Sequence, residues 1–412
     1  MKATLFSSHR VISPLPRRML EGVLAFFAMA TLPCCTVGGS GDAISGDWTI
    51  FRGESTLTGR SSERIPSDLT LLYSYKGGKR TLSSPVVSDG VAYWCDIGGK
   101  ISGVDVHSGE LAFTTDLSTQ VEATALIVDS LLYIGTVEGN LLSISLKDGG
   151  VQWSFATEGQ ISSSPNLATV QGKDALIVGS YDNFIYCVQR ESGTQIGKIE
   201  SGYYINGAVA VKGDLAVLGG CDAVVRVIDC STATQIDSVT VDSYIPGSPA
   251  IDGNKAYVMD YGGDLLEVEF SHKGILSCKK LLDGDGEDGS TGGGGGVTSL
   301  PAIGKDCIYA YTAQREISAI SRKDGRLLWT YGSPGPLTDS SPLLISDKVA
   351  FCTRTGVVSV LDGDSGKLLF QYDCGEQILG SPAPGGGGRL LVLTAKGTLL
   401  CFGKEERKRK ER

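Results

Sequence analysis

Apolar residues along this chain come in runs of four to six, each cut short by Gly, Asp, Asn or Ser. Almost no window of twelve residues escapes a Gly, a Pro or an Asn/Asp-Gly pair, so no long helical periodicity survives and the runs predict short strands. One stretch near the start, Met19 to Leu32, approaches a membrane-spanning length. The pattern therefore predicts an all-β chain and excludes a polytopic membrane protein.

The strands repeat with a period of about 40 residues. In the first unit Ser83-Ser84-Pro85-Val86-Val87-Ser88-Asp89-Gly90 leads to Val91-Ala92-Tyr93-Trp94, then Gly98 to Asp105, then Ser108-Gly109-Glu110-Leu111-Ala112-Phe113. The Ser-Pro anchor or its equivalent recurs at Pro85, Ala125, Pro165, Ala208, Pro249, Pro301, Pro342 and Pro382, with spacings of 40, 40, 43, 41, 52, 41 and 40. The long spacing holds an insertion that begins at Asp283 and ends in the glycine run Gly292 to Gly296. Within each unit three tight turns separate four strands: Asp89-Gly90 or Lys212-Gly213, then Gly98-Gly99 or Glu138-Gly139-Asn140, then Ser108-Gly109 or Asp148-Gly149. A four-stranded sheet cannot bury both of its faces alone, so the units must stack, and closing the stack into a ring protects the edges. The expectation is an eight-bladed β-propeller over residues 69–403, with seven blades as the alternative. The last unit stops after Leu399-Leu400-Cys401-Phe402, and Leu71-Leu72-Tyr73-Ser74-Tyr75 sits where a fourth strand would, with Tyr73 in the slot of Trp153 and Trp329. That strand is expected to close the ring.

Composition refines the class. Glycine supplies 56 of 412 residues, 41% are hydrophobic and 20% charged, which suits an ordered chain rich in turns. A net charge of −9 offers no basic face for nucleic acid. Arg10, Arg17 and Arg18 before Met19 to Leu32 predict an export signal over residues 1–35, followed by a linker and leader over 36–68. Leu32-Pro33-Cys34-Cys35 resembles a bacterial lipobox, with Cys35 the expected lipid attachment and Cys34 the alternative, although cleavage after Ala28-Met29-Ala30 or an uncleaved anchor remains open. Nine cysteines follow, from Cys95 to Cys401; an odd number cannot all pair, and without any Cys-x-x-Cys they read as small buried residues rather than metal ligands. His107 and His272 are the only histidines beyond the signal, little material for histidine catalysis.

The Ser-Ser-Pro opening, the Asp-Gly hairpin, the Gly-x-Leu-x-Ala-Leu-Asp-like third strand and the late Gly plus Trp together resemble the pyrroloquinoline-quinone-like (PQQ-like) β-propeller repeat, from Leu71 to Phe402. Gly46-Asp47-Trp48-Thr49-Ile50-Phe51-Arg52-Gly53 resembles the leader of that superfamily, which lies against the propeller. The resemblance implies one of two roles. The superfamily holds quinoprotein dehydrogenases, which carry PQQ and calcium in the central channel, and non-catalytic members that include the lipoprotein of the outer-membrane β-barrel assembly machine. The enzymes use a planar sandwich for the quinone, calcium-binding carboxylates and usually an adjacent-cysteine disulfide, and the chain after the signal has no adjacent cysteines.

The sequence thus favours a non-catalytic extracytoplasmic binding or scaffold protein with no cofactor. It would hold other envelope proteins or peptides on a propeller face, as a monomer within a larger complex, tethered to a membrane by a lipid. The alternative is a quinoprotein oxidoreductase dependent on PQQ and calcium. A carbohydrate-binding role lacks a distinctive aromatic platform. Three local features stay open. Asp283, Asp285, Glu287 and Asp288 alternate with glycines as calcium ligands do, or form a solvated loop. Arg226 and Glu267 replace small residues of the third strand in units four and five, as an ion pair between blades or a polar patch. The charged tail over residues 404–412 is a solvated end or a contact for anionic headgroups.

Overall fold

A computed structural model describes residues 47–284, 296–312, 316–335 and 340–405, and among them the regular elements are all β-strands. They form eight antiparallel four-stranded blades, over residues 86–116, 126–156, 166–200, 210–240, 250–282, 302–332, 343–373 and, for blade 8, 383–403 with Thr70–Lys76. The sequence expectation of eight blades holds. Each blade starts on the central channel and ends at the rim. Second and third strands, such as Val91–Cys95 and Lys100–Asp105, are buried almost throughout because neighbouring blades cover both faces. Fourth strands, such as Val151–Ala156, alternate between exposed and half-buried. At the first hairpin of blade 1, Asp89 and Gly90 both take positive φ (49° and 74°), the backbone that a two-residue primed turn requires.

Thr70–Lys76 pairs with Thr398–Gly403 of blade 8, with Tyr73 opposite Cys401 and Ser74 opposite Leu400, so the ring closes between the two ends of the propeller sequence. Tyr73 also ties blade 8 to blade 1: its hydroxyl donates to the Val106 carbonyl at 2.9 Å. Trp153 and Trp329 do the same from blades 2 and 6, donating Nε1–H to the carbonyls of Arg190 (3.1 Å) and Gly363 (2.9 Å). Each ring lies on a glycine of the next blade, where a Cβ at Gly109, Gly193 or Gly366 would come within 2.8, 2.7 and 2.7 Å of it.

Around the channel a second belt of bonds links the inner strands. The backbone N–H of Ser84 donates to Thr124 Oγ1 (2.9 Å), Ala208 to Ser248 Oγ (2.7 Å), Leu300 to Ser341 Oγ (2.9 Å), Ser341 to Ser381 Oγ (2.9 Å), and Ser381 to Ser84 Oγ across the seam (2.8 Å). The hydroxyls of Ser84, Thr124, Ser248, Ser341 and Ser381, each just before an anchor position, thus satisfy a donor of the preceding blade. The leader runs past these inner strands in blade order. Trp48 pairs with Val87, and the carbonyls of Thr49, Ser55, Thr56, Thr58 and Gly59 accept from Ile127, Val211, Ile251, Ile303 and Leu344. Arg60–Ser61 then adds a short parallel strand to blade 7.

Of the two readings for Arg226 and Glu267, the ion pair between blades does not form. Glu267 lies opposite Tyr257 and Arg226 opposite Leu218, and the strand position of Tyr257 corresponds to Val217, whose partner is Val227. Arg226 is therefore one residue out of column, and with a side-chain period of two it faces the other side of its blade. It bonds Asp222 instead, with Nη1 3.0 Å from Oδ1. Glu267, 1% exposed, accepts from Lys255 Nζ and Lys279 Nζ at 2.9 Å each and from the Tyr257 hydroxyl at 3.1 Å. Burial pushes its carboxyl up, but the bonds from the two lysines outweigh this and hold it below the ordinary 4.5. With the folded value below the unfolded one, the stabilisation is present above pH 4.5 and disappears as pH falls through the folded value. Glu267→Gln is expected to lower the unfolding free energy by about 1–2 kcal/mol at pH 7, with the gap to wild type narrowing below pH 4.5 in urea titrations. An equal gap at both pH values refutes the role of the charge.

Candidate functional site: the channel mouth and its tyrosine rim

The leader divides the channel. On one side Arg52, 2% exposed, donates Nη1–H to the Pro342 carbonyl (2.6 Å) and Nη2–H to the Pro301 carbonyl (2.9 Å), which fastens the leader to blades 6 and 7. Full burial pulls its guanidinium down to about 9, still charged at neutral pH. On the other side Phe51 and the inner rim enclose a cavity of about 180 Å3. Its lining is mostly hydroxyls, glycines and aliphatic groups, including Ser84, Thr124, Ser164, Ser248 and Leu300, with the Asn206 amide, and among the described residues its single charged side chain is Glu122.

This lining does not fit the quinone–calcium pair. Pockets for molecules of drug size run to ~300–1,000 Å3, and none of the four tryptophans lines the cavity to give a flat platform. Trp94 is 2% exposed and packs edge-on against Tyr75 (6.1 Å) inside the wall between blades 8 and 1. Among the described residues no three His, Cys, Asp or Glu side chains group as metal ligands, and the nine described cysteines are all free thiols.

The connections between blades and the second hairpins surround this mouth. In blade after blade a connection carbonyl accepts from a hairpin N–H, with Gln160 bonded by Tyr181 (2.9 Å), Tyr204 by Cys221 (3.4 Å) and Tyr244 by Tyr261 (2.9 Å). Tyrosines occupy both partner positions at Tyr244 and Tyr261, whose rings stack at 4.3 Å. At the boundary of blades 3 and 4, Tyr181 stacks on Tyr204 at 5.1 Å, and Tyr203 packs on Tyr204 at 4.2 Å. Tyr203, Tyr204 and Tyr244 are 46%, 40% and 37% exposed. Large rigid rings of this kind give contact area at low entropic cost. The structure therefore supplies an aromatic platform where the sequence suggested none. The signal lay in Tyr204-Ile205 and Tyr244-Ile245, which match Gln160-Ile161 one and two blades earlier and put tyrosine where glutamine stands.

Next to the platform the surface is acidic. Lys280 Nζ binds Asp242 (3.3 Å), Asp264 (2.6 Å) and Asp283 (2.8 Å), while Asp260, 1% exposed, keeps an unpartnered Oδ2 and is pushed up by burial. Asp283 is thus an ion-pair partner of Lys280. Asp285, Glu287 and Asp288 lie outside the described residues, as do Cys34, Cys35 and residues 406–412. Lys404, where the tail begins, bonds Asp68 at 3.0 Å.

Comparison with known proteins agrees with this geometry. The PQQ-like family model described as "Outer membrane protein assembly factor BamB" matches residues 56–199, 181–340, 289–376 and 313–410. No curated protein matches significantly. The crystal structure of BamB from Moraxella catarrhalis is similar over 82% of this chain and 99% of its own, at TM-score 0.67 and 17% identity. A europium-containing methanol dehydrogenase is similar over 87% and 98%, at 0.73 and 12%. A quinohemoprotein alcohol dehydrogenase from Comamonas testosteroni is similar over 89% and 82%, at 0.68 and 13%. Identities this low establish the propeller fold, which the scaffold and the enzymes share. The family match spans nearly the whole propeller, and the chain belongs to the PQQ-like family of outer membrane protein assembly factor BamB.

Proposed function

We propose that this protein is a non-catalytic, extracytoplasmic scaffold that holds another envelope protein on the tyrosine-bearing face, in outer-membrane protein assembly. The observation that carries the reading is the rim of exposed, mutually stacked tyrosines at the channel mouth, since tyrosine is among the residue types that dominate binding energy at interfaces. The family description supports the assembly role. Less favours the oxidoreductase alternative: no tryptophan lines the cavity, and among the described residues no three His, Cys, Asp or Glu side chains group as metal ligands.

Lipidation of Cys35, or of Cys34, belongs to the same proposal. Asp47 sits by the first hairpin of blade 1, accepting from the Asp89 N–H at 3.1 Å, and Lys404 follows the last strand of blade 8. Both positions are at the end of the blades away from the tyrosines.

The test is photo-crosslinking in intact envelopes, with a benzophenone amino acid at Tyr204 and, as control, at Leu328 on the outer rim, 43% exposed. A discrete adduct with an envelope protein from position 204 and none from 328 is expected. No adduct from 204, or saturable binding of PQQ with calcium by the purified protein, overturns the reading.

A further inference from the structure

The proposed scaffold role leaves the chemistry of the partner open, and the channel mouth narrows it. A cavity of about 180 Å3 has room for one long side chain and too little for a folded element. Among the described residues its only charged lining group is Glu122, held in place by Gln160, whose Nε2–H donates to Oε2 at 2.9 Å. Asn206 also lines the cavity. Its Nδ2 is engaged with Cys221 Sγ (3.3 Å), and its buried Oδ1 has no partner. Carboxylate and amide carbonyl are both acceptors, and a buried acceptor without a partner is costly until a donor reaches it. Beside them the Tyr181–Tyr204 stack offers flat π faces at the rim, with interplanar angle 14°, and Tyr181 lies close enough to Glu122 to feel its charge.

An acceptor-lined hole with a carboxylate and an aromatic rim is complementary to a planar cation, which can donate along its edge and stack by its face. The same channel already houses one such group. From the leader side, Arg52 lays its guanidinium against the carbonyls of Pro301 and Pro342, so rim carbonyls next to the proline anchors are spaced to receive that shape. The net charge of −9 adds long-range attraction for a basic segment.

We propose that the channel mouth receives one arginine side chain from an extended segment of the partner, its guanidinium on Glu122 and Asn206 Oδ1 and its approach framed by Tyr181 and Tyr204. This rests on the scaffold reading and adds the partner's chemistry. The simpler alternative, a mouth that holds only water, makes no distinction between arginine and its neutral isostere.

The experiment uses the full propeller and a capped Gly-Gly-Arg-Gly-Gly peptide, followed by methyl NMR shifts of Leu82, Leu300 and Leu379, which line the cavity. Saturable shifts are expected, with affinity falling at least tenfold when citrulline replaces arginine and again in Glu122→Gln. That variant keeps an oxygen for Gln160, and its melting temperature should match wild type. Tyr204→Ala is expected to weaken binding at least threefold. No saturable shift, equal affinity for citrulline, or an unchanged Glu122→Gln overturns the proposal. If the crosslink from position 204 persists while the arginine peptide fails, this inference falls and the scaffold reading stands. If the peptide binds while position 204 yields no adduct, the site stands and the scaffold reading falls.

Discussion

A chain that begins at Gly77 is expected not to form the propeller at all. Its loss is twofold. The leader takes with it the buried side chains of Trp48, Ile50, Leu57, Ile65 and Leu69, and the closing strand takes Leu71, Leu72, Tyr73 and Tyr75, which pack on the core of blades 7, 8 and 1. At ~1.5–3 kcal/mol per fully buried side chain, the first five alone contribute about 10 kcal/mol, comparable with the ~5–15 kcal/mol that holds a native domain together. Removing Thr70–Lys76 also bares the third strand of blade 8, Thr398–Gly403, whose buried apolar residues would become an open edge prone to pairing with other chains. The truncated chain should appear as insoluble material or as a species without near-ultraviolet circular dichroism. Co-expressing residues 47–76 as a separate peptide should restore soluble, folded protein. A monomeric truncated chain with wild-type spectra and melting would show that the seam is not what closes the ring.

That seam was readable before any coordinates, because it depends on a count. Eight anchors at nearly constant spacing, a last unit one strand short and an orphan strand at matching offset favour an eight-bladed ring closed by that strand, which the structure shows. Tyr73 in a tryptophan slot was readable for the same reason, since repeats let one position be compared with seven others. Reading by columns fails where alignment must be accurate to one residue. Arg226 and Glu267 were set in one column, and a shift of one position in blade 4 turned a neighbouring pair into residues on opposite blade faces. The channel mouth was invisible for a different reason. Glu122 and Asn206 stand on separate connections, as Tyr181 and Tyr204 stand on a hairpin and a connection, and only the closed ring brings the first two to one cavity and stacks the second two. The hydroxyls of Ser84, Ser248, Ser341 and Ser381 lie between these extremes. The Ser-Pro repeat marked them as anchors, but their role as acceptors for the preceding blade is a contact across some 40 residues, or across the seam for Ser84, that no local pattern encodes.

Arg52 gives the second large effect. Its two bonds to the Pro301 and Pro342 carbonyls are charge-assisted and fully buried, and each such bond is worth about 1.5–3 kcal/mol. Arg52→Ala is therefore expected to lower the unfolding free energy by about 3 kcal/mol or more, because it strands both acceptors and leaves a void along the channel axis. Arg52→Lys keeps the charge on a single ammonium without the planar fork and should recover only part of the loss. Arg52→Met restores volume without donors, and so separates the two causes. If Met is as damaging as Ala, the stranded carbonyls dominate; if it is as stable as wild type, the guanidinium contributes nothing beyond filling space and the account of the leader's anchor is wrong. Because Phe51 lines the cavity, loosening its neighbour should also be felt at the mouth. Limited proteolysis should cut the Arg52→Ala leader between Trp48 and Ser61 faster than wild type under conditions where the blades stay intact, which places the damage in the plug rather than in the ring.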